Sequence, residues 1–221
     1  MSGVIFWDED TQIDFMLPEG SLYVSGAETL LPNLQRLTEC ARAHRVPIVA
    51  IMCDHTLDDA EISSAPDFQQ TFPPHCLRGT RGHARVPATQ PQDPVVFENR
   101  PWTRAAVAER LAAHRGEILI KKQVLDPFSN PATAWLLDLL APASVVVYGV
   151  ATECCVHRAV LGLCDGRRQV YVVEDAIMPL DPPAGARCMA EWRSRGAELA
   201  CTDHVVGGGV VPLQPPTYVV S

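Results

Sequence analysis

Three kinds of reactive side chain occur where apolar runs of the sequence end. They are the carboxylates of residues 8–14, the amines of Lys121 and Lys122, and the thiols of Cys154 and Cys155. A thiolate is a strong nucleophile, a nearby ammonium group stabilises it, and a carboxylate can accept its proton. Together they predict attack on a carbonyl carbon by a thiolate. Each also has an ordinary explanation, because carboxylates cap helices, lysines lie on solvated surfaces and paired cysteines fill cores.

The elements that must position these groups are indicated by apolar runs and their spacing. Six short, β-branched runs are typical of buried strands: Val4–Trp7, Val46–Met52, Val95–Phe97, Ile118–Ile120, Val145–Tyr148 and Val170–Val173. Segments with helical spacing lie between them: Ala27–His44, Thr103–His114, Pro131–Leu140, Val156–Cys164 and Gly185–Arg195. This alternation predicts an α/β three-layer domain with a six-stranded, mainly parallel sheet and helices on both faces.

In such a sheet, ligands bind beyond the carboxyl ends of the strands, where the strand order reverses. The carboxylates, amines and thiols follow the first, fourth and fifth runs, so we expect them at one edge. The segment from Gly149 to Cys155 is typical of a strand–turn–helix, which places one of the two thiols at a helix N-terminus. Unpaired N–H groups there favour a thiolate and can bind the oxygen of a tetrahedral intermediate. An adjacent ammonium should lower the thiol pKa further.

Three sequence motifs relate the chain to a known family. The first is Asp-x-Gln-x-Asp-Phe at residues 10–15, the second is Lys122 with Phe128 six positions on, and the third is Gly-Val-x-Thr-(Asp/Glu)-x-Cys-Val at residues 149–156. On these motifs the chain resembles the isochorismatase-like cysteine hydrolases and, within them, the nicotinamidase-like amidases. The resemblance spans Val4 to Val206 and implies a single hydrolase domain over residues 1–206.

The resemblance implies a role for particular residues of the three motifs. Asp10 would be the base, Lys122 rather than Lys121 the amine, and Cys155 rather than Cys154 the nucleophile.

The resemblance also implies how the substrate would be held. It places a cis peptide between Val150 and Ala151 and an oxyanion hole formed by the N–H groups of Ala151 and Cys155. The substrate pocket would include Phe15 and Phe72.

A metal site is predicted in the long segment from Cys53 to Pro94. Residues 71–80 are similar to the family segment Trp-Pro-Pro-His-Cys-Val-x-Gly-Thr, whose His binds a metal, which implies His75 as a ligand. At the position of the family's Asp-x-His motif this chain has Cys53-Asp54-His55, so Cys53 stands where an aspartate ligand is expected. Glu61 would take the place of a second histidine ligand that the family has after this motif. Cys, His, Asp and Glu suit one divalent ion, with zinc expected and no organic cofactor. The alternative is a polar loop in which both histidines bond to backbone.

Composition excludes several other functions. The 26 acidic residues against 18 Lys and Arg give a net charge of −8, which disfavours nucleic acid and anionic lipid as partners. The apolar runs are far shorter than the ~20 residues of a membrane span, and the start lacks the features of a signal peptide. We therefore expect a cytoplasmic protein, and its eight cysteines should be mostly reduced thiols.

Residues 207–221 contain three consecutive glycines and several prolines, which predict an extended tail that packs on a neighbouring subunit. We therefore expect a homo-oligomer, a dimer or a tetramer.

The predicted activity is ammonia release from a small carboxamide through a thioester, with nicotinamide as the best single substrate. The alternatives are hydrolysis of an enol ether such as isochorismate, which in the family does not need the Cys, and a non-catalytic binding module bearing a metal or thiols.

Overall fold

The computed structural model describes residues 3–114 and 116–216 of the chain. Over these residues seven strands form one sheet in which every neighbouring pair is parallel. The strands are β1 (Val4–Glu9), β2 (Ile48–Cys53), β3 (Val95–Phe97), β4 (Ile118–Lys122), β5 (Ser144–Val150), β6 (Gln169–Met178) and β7 (Glu198–Ala200). Their order is β3-β4-β2-β1-β5-β6-β7. The predicted α/β class and parallel sheet are confirmed.

The prediction of six strands was wrong by one. The additional strand, β7, is three residues long and lies at the edge of the sheet, where Glu198 pairs with Tyr171 of β6. Its residues change from exposed to buried along the strand and do not form an apolar run. The criterion that identified the buried strands therefore could not detect it.

Helices cover both faces of the sheet. They are α1 (Ile13–Met16), α2 (Leu31–Ala43), α3 (Arg104–Ala112), α4 (Pro131–Leu140), α5 (His157–Leu163), α6 (Pro182–Ser194) and α7 (Thr202–Val206). Helices α1, α2 and α7 share a core with Val4 and Phe6 of β1, while α3 to α6 share a core with Ile5 and Trp7. Because successive side chains of a strand point to opposite faces, β1 must be apolar on both sides.

The central strand marks the place where ligands are expected. Strand β1 lies between β2 and β5, so the chain leaves β1 toward one side of the sheet and later returns to its other side. A crevice opens beyond the carboxyl ends of the strands at such a reversal. The ends of β1, β2, β4 and β5 therefore surround one site.

The C-terminal segment packs on its own chain. The Val4 N–H donates to the Gln214 carbonyl at 2.9 Å, and Val211 is 6% exposed. This segment thus contacts β1 of its own chain, and both the predicted packing on a neighbouring subunit and the homo-oligomer stay predictions. Residues 217–221 of the predicted tail lie outside the described residues. Among the helices described, none is both long enough and apolar enough to cross a membrane.

Candidate active site

Asp10, Lys122 and Cys155 meet at the carboxyl ends of the central strands. The Lys122 Nζ lies 2.8 Å from the Asp10 Oδ2 and 3.3 Å from the Cys155 Sγ. The side chain of Lys121 points to the opposite face, where its Nζ lies 2.9 Å from Glu98. This alternation along β4 explains why only one of the two lysines can join the site. We call Asp10, Lys122, Cys155 and the adjacent Glu9 the catalytic cluster.

The backbone around Asp10 is shaped to fit this cluster. Asp10 has a φ of 51°, a left-handed conformation that turns the chain directly after β1. Gly149, beside it on β5, has a φ of 124°, and a Cβ there would lie 2.0 Å from the Glu9 carbonyl oxygen. A glycine is thus required for β5 to approach the end of β1.

Cys155 lies in a turn between β5 and α5. Residues Thr152–Val156 form one π-helical turn, and α5 begins at His157. The peptide between Val150 and Ala151 is cis, as the resemblance implies. The predicted strand–turn–helix is present, but Cys155 sits inside the turn rather than at the first residue of the α-helix. Such π-helical turns occur frequently at functional sites.

Glu9 adds a second carboxyl group that sequence reasoning did not assign. Its Oε1 lies 3.7 Å from the Lys122 Nζ, and its Oε2 accepts a hydrogen bond from the Trp7 indole at 2.7 Å. One oxygen of Glu9, one of Asp10 and the Cys155 sulfur lie within 4.8 Å of one another. Burial and the charge of Asp10 raise the pKa of Glu9 well above its usual range, so Glu9 is a weaker acid here than a free carboxyl group.

The protonation state of the nucleophile differs from the sequence-based expectation. Burial lowers the pKa of Lys122, but Asp10 and the neighbouring thiols outweigh burial and raise that pKa well above its usual range. A hydrogen bond with Cys53 and burial raise the pKa of Cys155, although Lys122 lowers it. The resting form is therefore a neutral thiol beside an Asp10–Lys122 ion pair. A thiolate has to form by proton transfer, with Asp10 within reach as the acceptor.

A second group of side chains lies next to the catalytic cluster. The ligand atoms of Cys53, His55 and His75 lie within 4.8 Å of one another, and all three residues are buried. The Oε1 of Glu61 lies 3.8 Å from the Nε2 of His55 and 3.8 Å from the Nε2 of His75. We call these four residues the metal cluster. The structure thus brings together four of the five predicted ligands.

The donor set of the metal cluster fits a zinc ion. Both ring nitrogens of His55 are buried without a hydrogen-bond partner. Burial, and then His75, lower the pKa of His55 to about 4, and burial lowers the pKa of His75, so both imidazoles are neutral at pH 7 as metal ligands must be. The Nδ1 of His75 lies 2.8 Å from the Pro73 carbonyl, which leaves its Nε2 for an ion.

The other two donors of the metal cluster are acids whose pKa values are raised. Burial raises the pKa of Glu61 to about 7. The contact with Cys155 lowers the pKa of Cys53, but burial and Asp10 outweigh that contact and raise it to about 11. A divalent ion would displace the Cys53 proton and any proton on Glu61, because it binds the thiolate and the carboxylate.

Asp54 does not join the metal cluster, so its prediction as a ligand is corrected. Its carboxylate lies 2.8 Å from the Arg78 Nε and 2.8 Å from the His83 Nε2. Burial raises the pKa of Asp54, but these hydrogen bonds and the charge of Lys121 outweigh burial and lower it to about 2. Asp54 directly follows β2, and its side chain turns away from those of Cys53 and His55 on either side of it.

Two polar residues of the first motif hold the metal cluster in place, a role that sequence reasoning missed. The Gln12 side chain donates to the Cys53 carbonyl at 2.9 Å and accepts from the Cys53 N–H at 2.8 Å. Asp14 accepts from the Cys76 N–H at 2.7 Å, directly beside His75. The alternate spacing of Asp10, Gln12 and Asp14 could have indicated this role. One short segment supplies the candidate base and the two side chains that bond to the backbone beside the metal ligands.

A mostly apolar cleft connects the two clusters. It is lined by Phe15, Leu22, Val24, Cys53, Glu61, Phe72, His75, Leu125, Val150, Ala151, Cys154, Cys155 and Leu180. Both residues predicted as pocket walls are present, and the rings of Phe15 and Phe72 lie 5.3 Å and 6.2 Å from that of His75. A small planar ligand could thus contact Cys155 and the metal cluster together.

Comparison with known sequences agrees with this geometry. The family of the isochorismatase domain matches residues 97–204. A nicotinamidase/pyrazinamidase of Mycobacterium tuberculosis is 27% identical over 195 residues, which cover 87% of this chain and 96% of that relative.

Comparison with solved structures finds the same fold. The pyrazinamidase of Pyrococcus horikoshii, solved in complex with zinc, is 22% identical, with a TM-score of 0.72 over 90% of this chain and 98% of that one. The N-carbamoylsarcosine amidase of Thermoplasma acidophilum is 19% identical, with a TM-score of 0.68 over 92% and 98% of the two chains.

Proposed function

We propose that this chain, which belongs to the isochorismatase-like family in its nicotinamidase-like branch, is a cysteine-dependent amidohydrolase that releases ammonia from a small carboxamide. The observation that carries the proposal is the buried Lys122 ammonium, 2.8 Å from the Asp10 carboxylate and 3.3 Å from the Cys155 thiol. A base, a cation and a nucleophile in mutual reach are what acyl transfer requires.

The reaction would proceed in two halves through a thioester. Asp10 takes the proton of Cys155, and the thiolate attacks the amide carbon. The carbonyl oxygen becomes an oxyanion that accepts hydrogen bonds from the N–H groups of Ala151 and Cys155. Asp10 then gives its proton to the leaving nitrogen, and ammonia departs. In the second half Asp10 deprotonates water, whose oxygen attacks the thioester carbon. The C–S bond breaks, the carboxylic acid is released, and Asp10 returns its proton to the Cys155 thiolate.

The role of Lys122 in this reaction is to pair with whichever group carries the negative charge. In the resting state the ammonium pairs with Asp10, and after the first proton transfer it pairs with the thiolate. The transfer moves a proton from Cys155 to Asp10 inside the buried cluster, so the net charge of the cluster is unchanged. A move of charge within a dry site then needs little rearrangement of solvent.

The metal cluster would hold a divalent ion through Cys53, His55, Glu61 and His75. When bound, such an ion supplies a coordination position for a heteroatom of the substrate. The fold relative from P. horikoshii was solved with zinc, which supports the same ion here. The residues of this chain would place the substrate's ring between Phe15 and Phe72, with its amide toward Cys155.

Nicotinamide is the substrate that we propose first. Its planar ring suits the aromatic and aliphatic walls of the cleft, and its ring nitrogen would face the metal cluster. The M. tuberculosis relative is described as a nicotinamidase/pyrazinamidase, which supports pyridine or pyrazine carboxamides.

Ammonia release from a panel of amides tests this proposal. The panel contains nicotinamide, pyrazinamide, benzamide and acetamide, with isochorismate as a separate enol-ether substrate. We expect ammonia from the heteroaromatic amides with the wild-type chain and none with Cys155→Ala. Turnover of isochorismate alone, by both proteins, would indicate an enol-ether hydrolase. Binding of the amides without any turnover would indicate a non-catalytic module.

A further inference from the structure

Two thiols flank the same buried ammonium. The Lys122 Nζ lies 3.4 Å from the Cys53 Sγ and 3.3 Å from the Cys155 Sγ. The two thiols therefore lie around one nitrogen atom, that of the Lys122 side chain. Both line the cleft, so a small solute that enters the cleft reaches both sulfurs. The proposed amidase reaction uses only one of these thiols as a nucleophile.

The backbone holds the two cysteines in this arrangement from two sides. Cys53 is the last residue of β2 and pairs in register with Lys122 of β4. Its N–H and carbonyl are both bonded to the Gln12 side chain. Cys155 is held in the turn after β5, on the opposite side of β1. Because the sulfurs lie 3.4 Å and 3.3 Å from the same nitrogen, rotation of the two side chains can bring them toward each other.

We propose that Cys53 and Cys155 are an oxidative modification site, at which a peroxide converts the two thiols into a disulfide. This site does not depend on the chain being an amidase, because it rests on the position of both thiols beside the Lys122 ammonium. It does imply that any activity based on Cys155 is lost on oxidation and is restored by a thiol reductant.

The chemistry uses the same proton acceptor as the proposed hydrolysis. Asp10 takes the proton of Cys155, and the thiolate attacks one oxygen of hydrogen peroxide. The O–O bond breaks, a sulfenic acid forms on Cys155, and the departing hydroxide takes the proton from Asp10 and leaves as water. The Cys53 sulfur then attacks the sulfenic sulfur, the S–O bond breaks, and the hydroxide leaves as water with the Cys53 proton, or with a proton from solvent where an ion had displaced the Cys53 proton. Overall two thiols and one peroxide give one disulfide and two waters.

The disulfide would disable both clusters at once. It occupies the sulfur that attacks the amide, and it removes one of the four donors of the metal cluster. It would also protect Cys155 from further oxidation to sulfinic acid, which is irreversible for most proteins.

Mass spectrometry after peroxide treatment tests the proposal directly. The protein is treated with a small molar excess of hydrogen peroxide, free thiols are alkylated, and the digest is mapped without reduction. We expect a mass decrease of about 2 Da before alkylation and a crosslinked peptide pair containing Cys53 and Cys155. Dithiothreitol should restore both thiols.

Two variants separate the pair from other thiols. Cys53→Asp supplies the carboxylate that the family resemblance expects at this position but has no second thiol, so Cys155 should be recovered as sulfinic acid. Cys201→Ser removes an exposed thiol elsewhere and should crosslink like the wild type. If Cys53→Asp does not fold by thermal melting, Cys53→Ser makes the same comparison.

The proposal is overturned by either of two results. One is sulfinic acid on Cys155 of the wild type at the same rate as in the Cys53 variant. The other is a crosslink of Cys155 to Cys154 or Cys76. Because the readout is a mass and not an activity, it stands whether or not the chain releases ammonia.

Discussion

The catalytic cluster and the metal cluster are neighbours, but the fold builds them differently. The catalytic cluster comes from residues at or just beyond the ends of β1, β4 and β5, and its positions follow from the register of the sheet. In the metal cluster only Cys53 belongs to a strand, and the other members lie on the irregular segment between residues 54 and 76. Two isolated bridges, His55 to Leu77 and Ile62 to Phe72, fold that segment back on itself.

This difference predicts how each cluster responds to a change. Every member of the catalytic cluster is buried, and Lys122 pairs with Asp10, so removal of one charge should affect both chemistry and folding. The metal cluster carries two neutral imidazoles and two acids whose pKa values are raised. Removal of one of its donors should therefore affect ligand binding more than folding.

The largest effect is expected from the nucleophile. Cys155→Ala should lower kcat by about three to six orders of magnitude, because no other thiol contacts both Lys122 and the oxyanion hole. Cys154→Ala, at a half-buried position of the same turn, should retain activity within about tenfold of the wild type. Ammonia release measures both. Preferential alkylation of Cys154 by iodoacetamide, with loss of activity, would contradict the assignment.

Removal of the buried cation comes next and bears on folding as well as on activity. Lys122→Met leaves Asp10 without its counter-ion and should lower the free energy of unfolding by about 3–5 kcal/mol. Lys121→Met, the matched control on the opposite face of the same strand, should cost less than about 1 kcal/mol. Urea titrations give both values. Adding Asp10→Asn to Lys122→Met should recover part of the loss; a further loss of full size would mean that the two charges are not coupled.

The metal cluster should behave in the opposite way. Protein purified without chelator should contain about one zinc per chain, and His55→Ala should contain less than about a tenth of that. The ion would bind a heteroatom of the substrate's ring and would not contact the amide carbon that reacts. The same variant should therefore raise KM more than it lowers kcat. Its unfolding free energy without metal should stay close to that of the wild type. Full activity of a metal-free wild type would leave both histidines as structural residues.

The smallest effect is expected at Asp54, which lies beside the metal cluster but outside it. The folded pKa of Asp54, about 2, lies below the usual unfolded value, so its contribution to stability is present above pH 4 and is lost as the pH falls toward 2. Asp54→Asn should therefore cost about 1–2 kcal/mol at pH 7, and the difference should narrow in acid. Zinc content should not change. Loss of zinc would return Asp54 to the ligand set.

The same difference explains what the sequence could predict. The apolar strands and the reactive residues at their ends were predicted, because the periodicity of a parallel sheet determines which ends meet. The choice of Lys122 over Lys121 came from the resemblance, and the alternation of side chains along β4 explains it. The choice of Cys155 over Cys154 came only from the resemblance, because a turn has no fixed periodicity.

Other features depended on contacts between distant segments. Strand β7 has no apolar run, and Asp54 faces Arg78 and His83 only because the segment after β2 folds back. The neutral form of the Cys155 thiol could not be predicted from a nearby lysine alone, because burial and Cys53 act in the opposite direction. The place of Glu9 in the catalytic cluster was not predicted for the same reason, because its distance from Cys155 depends on how β5 approaches β1.

The central claim is that Cys155 carries the acyl group of the substrate during hydrolysis. Wild-type protein is mixed with an excess of nicotinamide, quenched in acid within the first turnovers, and analysed by intact mass and peptide mapping. We expect a nicotinoyl adduct on the peptide that contains Cys155. The adduct should form as ammonia appears, disappear on further incubation and be absent from Cys155→Ala. Ammonia release at the wild-type rate by Cys155→Ala, or an adduct mapped to Cys154 or Cys53, would contradict it.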